Sequence, residues 1–137
     1  MRNQGLTTSS RAMNRLHTSW RLVHPSASVG TMTVWADGVV VCGGPQVSTN
    51  VRLGRHVHVN PNATIGHDSI LESFVSINPA ATISGDVHVR SRTLIGAGAI
   101  VLQGLSIGAD TTVGAGAVVT RNVPDGVVVK GVPGVWS

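Results

Sequence analysis

His67 and Asp68 stand side by side in the run IGHDSI (65–70). A neutral imidazole whose tautomer is fixed by a neighbouring carboxylate is the arrangement a general base needs. Gly85, in ISGDVH (83–88), lies eighteen residues further on. Set beside such a base, a glycine offers an unobstructed backbone N–H to a developing oxyanion. These three residues form an acyl-transfer constellation only if the chain turns a separation of eighteen into spatial adjacency; otherwise His67 is a solvated corner histidine.

The other residues with chemical potential are less well placed. His56 and His58 flank Val57, while His17, His24 and His88 lie far apart, with no H-x4-H spacing and no pair eighteen apart. A zinc site is therefore not supported. Cys42, read without a histidine in register, is expected to be a packed or exposed thiol rather than a nucleophile. The GAG runs at 96–98 and 114–116 recur without a following helix, so a Rossmann phosphate loop does not fit them. Ten Lys plus Arg against six Asp plus Glu leave a charge of +4. The basic residues are scattered singly without aromatic interleaving, which favours an anionic small molecule over nucleic acid.

The element that could position these groups is a repeat. Every sixth residue from Val23 to Val119 is apolar, and the residue four places later is mostly Ala, Val, Thr or Ser, with Pro45 and Leu105 as departures. The second place of the hexad is often glycine, as in IGAGAI (95–100) and VGAGAV (113–118), where it is expected to relieve a tight corner. A six-residue period with two inward positions is the pattern of a parallel β-helix. Three hexads make one coil, so 23–124 supply five to six coils, a prism roughly 27 Å tall at the spacing of paired strands.

Composition agrees. Hydrophobic residues are 42% of the chain but aromatics only 3%, with 17 glycines. Such a core is built of small branched side chains, and the fold is all-β rather than a helix bundle. Residues 1–22 read as an extension with a short helix near 8–20, and 125–137 as a cap strand and tail closing the last coil. No stretch approaches a membrane span, and a lone cysteine supplies no intramolecular disulfide framework; a cytoplasmic protein is expected. With no insertion in the repeat, no loop of the prism builds a site by itself. A flat face becomes a cleft only when another copy packs on it, most simply in a closed ring of three.

The runs VHPSASV (23–29), NPNATIGHDS (60–69) and IGAGAIVLQGLSIGADTTVGAGAVVTRNVPDGVVVKGVP (95–133) resemble the left-handed β-helix, hexapeptide-repeat sugar acetyltransferases, nearest the branch of sialic-acid O-acetyltransferases and bacillosamine-type UDP-amino-sugar N-acetyltransferases. That resemblance implies acetyl transfer from acetyl-CoA, as donor substrate and without a metal, to a hydroxyl or amine of a small sugar-like acceptor. It implies a homotrimer with sites between subunits and no part for nucleic acid or membrane. His67 matches the family's base, Asp68 its supporting acid, Gly85 the amide that holds the thioester carbonyl, and Asn60 an asparagine near the acceptor. Ala97 and Ala115 match the positions along which pantetheine and adenine lie. Lys130 is added on electrostatic grounds, as a partner for a CoA phosphate.

Two departures qualify the match. Nine residues after His67 the family commonly has a second histidine near the acetyl donor; here it is Ser76, which retains one hydrogen bond to give. The resembled enzymes also carry a nucleotide-sugar-binding domain in front of the prism, where this chain has 22 residues. The acceptor is then expected not to be a nucleotide-sugar, or the front of the chain to be shortened. The alternative function is a catalytically silent trimeric β-helix scaffold or partner subunit.

Overall fold

The computed structural model describes residues 20–137; the helix expected near 8–20 and most of the 1–22 extension lie outside the described residues. The described chain winds as a left-handed parallel β-helix of about six coils. Strands of two or three residues stack into three flat faces. Arg21–Val23, Val39–Val41, His58–Val59, Ser76–Ile77, Leu94–Ile95, Thr112–Val113 and Val128–Val129 form a seven-stranded face. Ser28–Val29, Gln46–Val47, Thr64–Ile65, Thr82–Ile83, Ile100–Val101 and Val118–Val119 form a six-stranded one. Val34–Trp35, Arg52–Leu53, Ile70–Leu71, His88–Val89 and Ser106–Ile107 form the five-stranded third.

Pairing within the repeat is in register at eighteen residues, as in Gln46 with Thr64 and Ile70 with His88. From Ser28 to Ile100 each strand residue at the sixth place donates its N–H to the carbonyl seventeen residues on, for example Thr64 N to Ala81 O at 2.9 Å. The core is the column of first and fifth places: Val41, Val59, Ile65, Ile77, Ile83 and Ile95 are all at most 1% exposed. Each such aliphatic side chain contributes about 1.5–3 kcal/mol by leaving water. Ser69, Thr93 and Thr111 also point inward, and their hydroxyls bond turn carbonyls, Ser69 to Ser84 O at 3.1 Å and Thr93 to Gly108 O at 2.7 Å. A buried hydroxyl left without a partner would cost about 1–3 kcal/mol, so these substitutions within an apolar column are tolerated only because the corners supply acceptors.

The corner chemistry differs from the sequence reading. The left-handed residue is the fourth of the hexad, not the second, and it has positive φ in every hexad from Met32 to Gly116. Gly38, Gly44, Gly98, Gly104 and Gly116 fill some of these places, but Asn50, Asn62, Asp68, Asp86 and Asp110 fill others, and so do His56, Phe74, Ala80 and Arg92. Asn, Asp and His are the non-glycine residues most tolerant of this region. Glycine at the second place serves clearance between coils. A Cβ on Gly66 would lie 2.4 Å from Gly85 N, and one on Gly96 2.6 Å from Ala115 N.

Beyond the last hexad, Val128–Val129 extends the seven-stranded face, and Lys130 and Val135 exchange hydrogen bonds across the tail turn. Gly134 N donates to Val118 O at 2.8 Å, and the Arg121 guanidinium lies 4.4 Å from the centre of the Trp136 ring. These contacts occupy the strand edge at this end of the prism.

Candidate active site

The turn between Thr64–Ile65 and Ile70–Leu71 carries His67 and Asp68 to the corner between the six- and five-stranded faces. Asp68 takes the left-handed place, with φ 62°, and this turns its carboxylate back along the corner. His67 Nδ1 lies 2.8 Å from Asp68 Oδ2. With Nδ1–H donating to the carboxylate, Nε2 is left as the basic nitrogen. Both side chains are about half exposed. Asp68 is itself held from the coil before, where Asn50 Nδ2 donates to Oδ1 at 2.6 Å. The Asn50 bond first, and then the bond and charge of His67, keep the Asp68 carboxyl below its ordinary range. It therefore stays an acceptor wherever His67 is neutral.

Gly85 lies one coil further on, buried under the imidazole. A Cβ there would sit 2.5 Å from His67 Nε2, so only glycine leaves the ring where it is. At the same place of three other hexads the corner N–H is capped by a side-chain oxygen: Arg55 N by Ser73 Oγ, Ser91 N by Glu72 Oε1 and Ala109 N by Asp125 Oδ1. Gly85 N has no such acceptor among the described residues. Ala97 N and Ala115 N at the same place also lack one, and what sets the Gly85 amide apart is the imidazole beside it. A groove of about 270 Å³ lined by Gln46, Ser48, Thr64, Gly66 and His67 runs from this corner onto the six-stranded face.

The remaining sequence-derived residues stand elsewhere on the same chain. Asn60 follows His58–Val59 at the corner between the seven- and six-stranded faces, and its Nδ2 donates to Ile77 O at 2.9 Å and reaches Asn78 Oδ1 at 3.4 Å. Ser76 is on the seven-stranded face, paired in register with His58 and Leu94. Ala97 and Ala115 share the Asn60 corner one coil apart, both exposed, and Gly116 N bonds Ala97 O. Lys130 lies exposed beyond Val128–Val129. The fold therefore gathers His67, Asp68 and Gly85, and places Asn60, Ser76, Ala97 and Ala115 around a different corner.

Three features escaped the sequence reading. Asn50 stands eighteen residues before Asp68, so the register that led to Gly85 also leads to it. His24 likewise precedes Cys42 by eighteen, contrary to the reading that no histidine is in register with that thiol. The His24 Nδ1, however, accepts from Ser26 N at 3.0 Å and faces Ser26 Oγ at 2.9 Å, and the half-buried Cys42 Sγ is directed to Asn60 Oδ1 at 3.9 Å. On the five-stranded face, His88 Nε2 meets Glu72 Oε2 at 2.5 Å, and Glu72 Oε1 accepts from Ser91 N and Oγ. Burial works to raise the Glu72 pKa, but the bonds from His88 and Ser91 together outweigh it and hold the carboxyl below its ordinary value. Among the described residues no three His, Cys, Asp or Glu side chains are grouped to hold a metal ion.

By fold and repeat the chain is a hexapeptide-repeat β-helix of the kind found in acetyltransferases. Among solved structures it is similar to the acetyltransferase domain of PglB from Neisseria gonorrhoeae in complex with acetyl coenzyme A. The two are 37% identical with a TM-score of 0.84, over 85% of this chain and 57% of that one. It is similar also to PerB from Caulobacter crescentus in complex with CoA and GDP-perosamine, at 35% identity and a TM-score of 0.86, over 94% of this chain and 62% of that one. WeeI from Acinetobacter baumannii matches at 28% identity and a TM-score of 0.85, over 88% and 59% of the two chains. This chain thus spans about three fifths of the length of these structures. No protein-family model matches it, and no curated protein does.

Proposed function

We propose that this protein transfers an acetyl group from acetyl-CoA to the amine or hydroxyl of a sugar-like acceptor. An amine is favoured by the similarity to PerB, which was crystallised with CoA and GDP-perosamine. The observation that carries the reading is the His67 imidazole, held through Nδ1 by Asp68 and lying over the uncapped Gly85 amide. In the reaction, His67 Nε2 takes the proton of the attacking nitrogen or oxygen as that atom bonds the thioester carbon. The carbonyl oxygen becomes an oxyanion held by Gly85 N–H. Collapse breaks the carbon–sulfur bond, and the leaving thiolate takes the proton from the imidazolium, returning His67 to neutral and releasing CoA as the free thiol.

Pantetheine lies along the Ala97 and Ala115 corner in this reading, with Ser76 towards the acetyl thioester, Asn60 towards the acceptor and Lys130 at a CoA phosphate. Because those residues and His67 occupy different corners of one prism, the complete site is formed between neighbouring copies of a homotrimer. The experiment is acceptor-dependent thiol release from acetyl-CoA, with amino sugars, sialic acid and small amines and alcohols, for wild type and His67→Ala. Loss of a general base lowers kcat by at least about 10²-fold. A His67→Ala protein that turns over like wild type ends the proposal. A second reading, a silent trimeric scaffold, draws on Ser76 in place of the second histidine; it predicts no acetyl-CoA binding even at millimolar concentration.

A further inference from the structure

The six-stranded face changes in kind along the prism. Its outward strand residues run Ser28, Gln46, Thr64 and Thr82, and then Ile100 and Val118. The second places, where the chain leaves this face, run Gly30, Ser48, Gly66 and Ser84, and then Leu102, which like Ile100 is an exposed apolar side chain. Both columns turn from polar to apolar just past the coil that holds Gly85. The polar stretch is thus the part of the face that borders His67, and the groove of about 270 Å³ opens within it. Three side chains of its lining, Gln46, Ser48 and Thr64, are exposed and make no hydrogen bond among the described residues. The adjoining corner differs: Thr49 Oγ1 donates to Thr31 O at 2.8 Å and lies 3.1 Å from Thr31 Oγ1, so those hydroxyls serve the chain itself. No Asp, Glu, Lys or Arg lines the groove.

We propose that this groove is the acceptor subsite, and that it takes a hydroxylated sugar ring carrying no acidic group, with its ring hydroxyls bonded to Gln46, Ser48 and Thr64. The direction of the ring's amine, towards His67 Nε2, rests on the acetyl-transfer reading; recognition of the ring rests on the groove. A carboxamide and two hydroxyls each donate and accept, which matches the hydroxyls of a sugar. A phosphate or carboxylate finds no opposite charge there to replace the charge-assisted bonds such groups make elsewhere. The volume lies below the roughly 300–1,000 Å³ of pockets that enclose larger ligands, and so suits one ring rather than a nucleotide. The acceptor is then held by the same protomer that carries the base, one coil from it at most.

Two ring amines test this: glucosamine, and cyclohexylamine, which lacks the hydroxyls. In thiol release from acetyl-CoA, Gln46→Met, Ser48→Ala and Thr64→Val each raise the KM for glucosamine about three- to tenfold, the loss expected of one hydrogen bond. The same variants leave kcat, the KM for acetyl-CoA and the kcat/KM for cyclohexylamine unchanged. A glucosamine KM that does not move, or one that rises no more than the cyclohexylamine KM, overturns the proposal while turnover lost in His67→Ala keeps acetyl transfer. Binding is read without turnover by amide NMR of the full chain. Glucosamine shifts the Gln46, Ser48 and Thr64 amides saturably, three- to tenfold more weakly in each variant, and sialic acid does not shift them. Shifts confined to another face, or equal shifts with sialic acid, overturn the proposal. Saturable glucosamine shifts at these amides with no thiol release, or with full turnover in His67→Ala, uphold the subsite and end the acetyl-transfer reading instead.

Discussion

At the scale of single residues, the candidate site depends on contacts that each have one weak point. Asp68 is ionised low because Asn50 and His67 both bond its carboxylate. Replacing Asn50 by Ala removes the larger contribution, and the Asp68 pKa, followed by carboxyl carbon NMR, rises towards the ordinary value near 3.8. The sign for stability follows. A carboxyl whose folded pKa is depressed favours the native state above its unfolded value, and this contribution is lost as pH falls through the folded pKa. Asp68, Glu72 and Asp110, the last bonded by Arg92 through two nitrogens, are all depressed. The urea midpoint is therefore expected to hold from neutrality to the ordinary carboxylate range and to fall below it, with a smaller fall in Asn50→Ala. At Gly85 the weak point is space. A Cβ would displace the imidazole from above, and because a misplacement of about 1 Å costs about 10²-fold in rate, Gly85→Ala should lower kcat to that extent with the fold intact.

At the scale of the hexad, sequence and structure agree where the period itself carries the information. First and fifth places face the core because any chain with two inward positions in six must put them there, and this was legible without a structure. The conformation of the fourth place was not. Its occupants, from Gly38 to Phe74 and Arg92, share no chemical property, since the coil's closure fixes their φ and the residue type does not. Glycine at the second place looked like the corner residue because it is common there, yet its work is clearance from the next coil. Register told where His67 and Gly85 meet, and the same step taken backwards from Asp68 leads to Asn50, which the sequence reading did not follow. It was silent on Glu72 and His88, which lie sixteen residues apart and touch diagonally across two coils. The fourth place makes a test. Ala80 has φ 62° and an exposed side chain, so Ala80→Gly removes a strain of about 1 kcal/mol. Urea unfolding should show it more stable by up to that amount, less glycine's entropy. Gly66→Ala should be destabilised by about 1–3 kcal/mol, because its Cβ meets the Ser84 and Gly85 backbone, and its activity should fall along with its stability.

At the scale of the whole molecule, a prism made only of short strands and tight corners has rigid, nearly flat sides. On the proposed function, its chemistry is decided by which corners are brought together from different copies. Within one chain, His67 with Gly85 and Asn60 with Ala97 occupy separate corners, and no hinge in an uninterrupted eighteen-residue register can close that gap. If acetyl transfer takes place between copies, then two chains that are each inactive must be able to complete one another. A His67→Ala chain keeps its Asn60 corner, and an Asn60→Ala chain keeps its His67 corner. Unfolded together and refolded, they form mixed rings in which some contacts pair the intact His67 corner of one protomer with the intact Asn60 corner of its partner. Thiol release in the mixture should then exceed the sum of the two separate proteins by a clear multiple. A mixture no more active than its parts, while wild-type chains refolded in the same way regain full turnover, would put all the catalytic residues on one protomer.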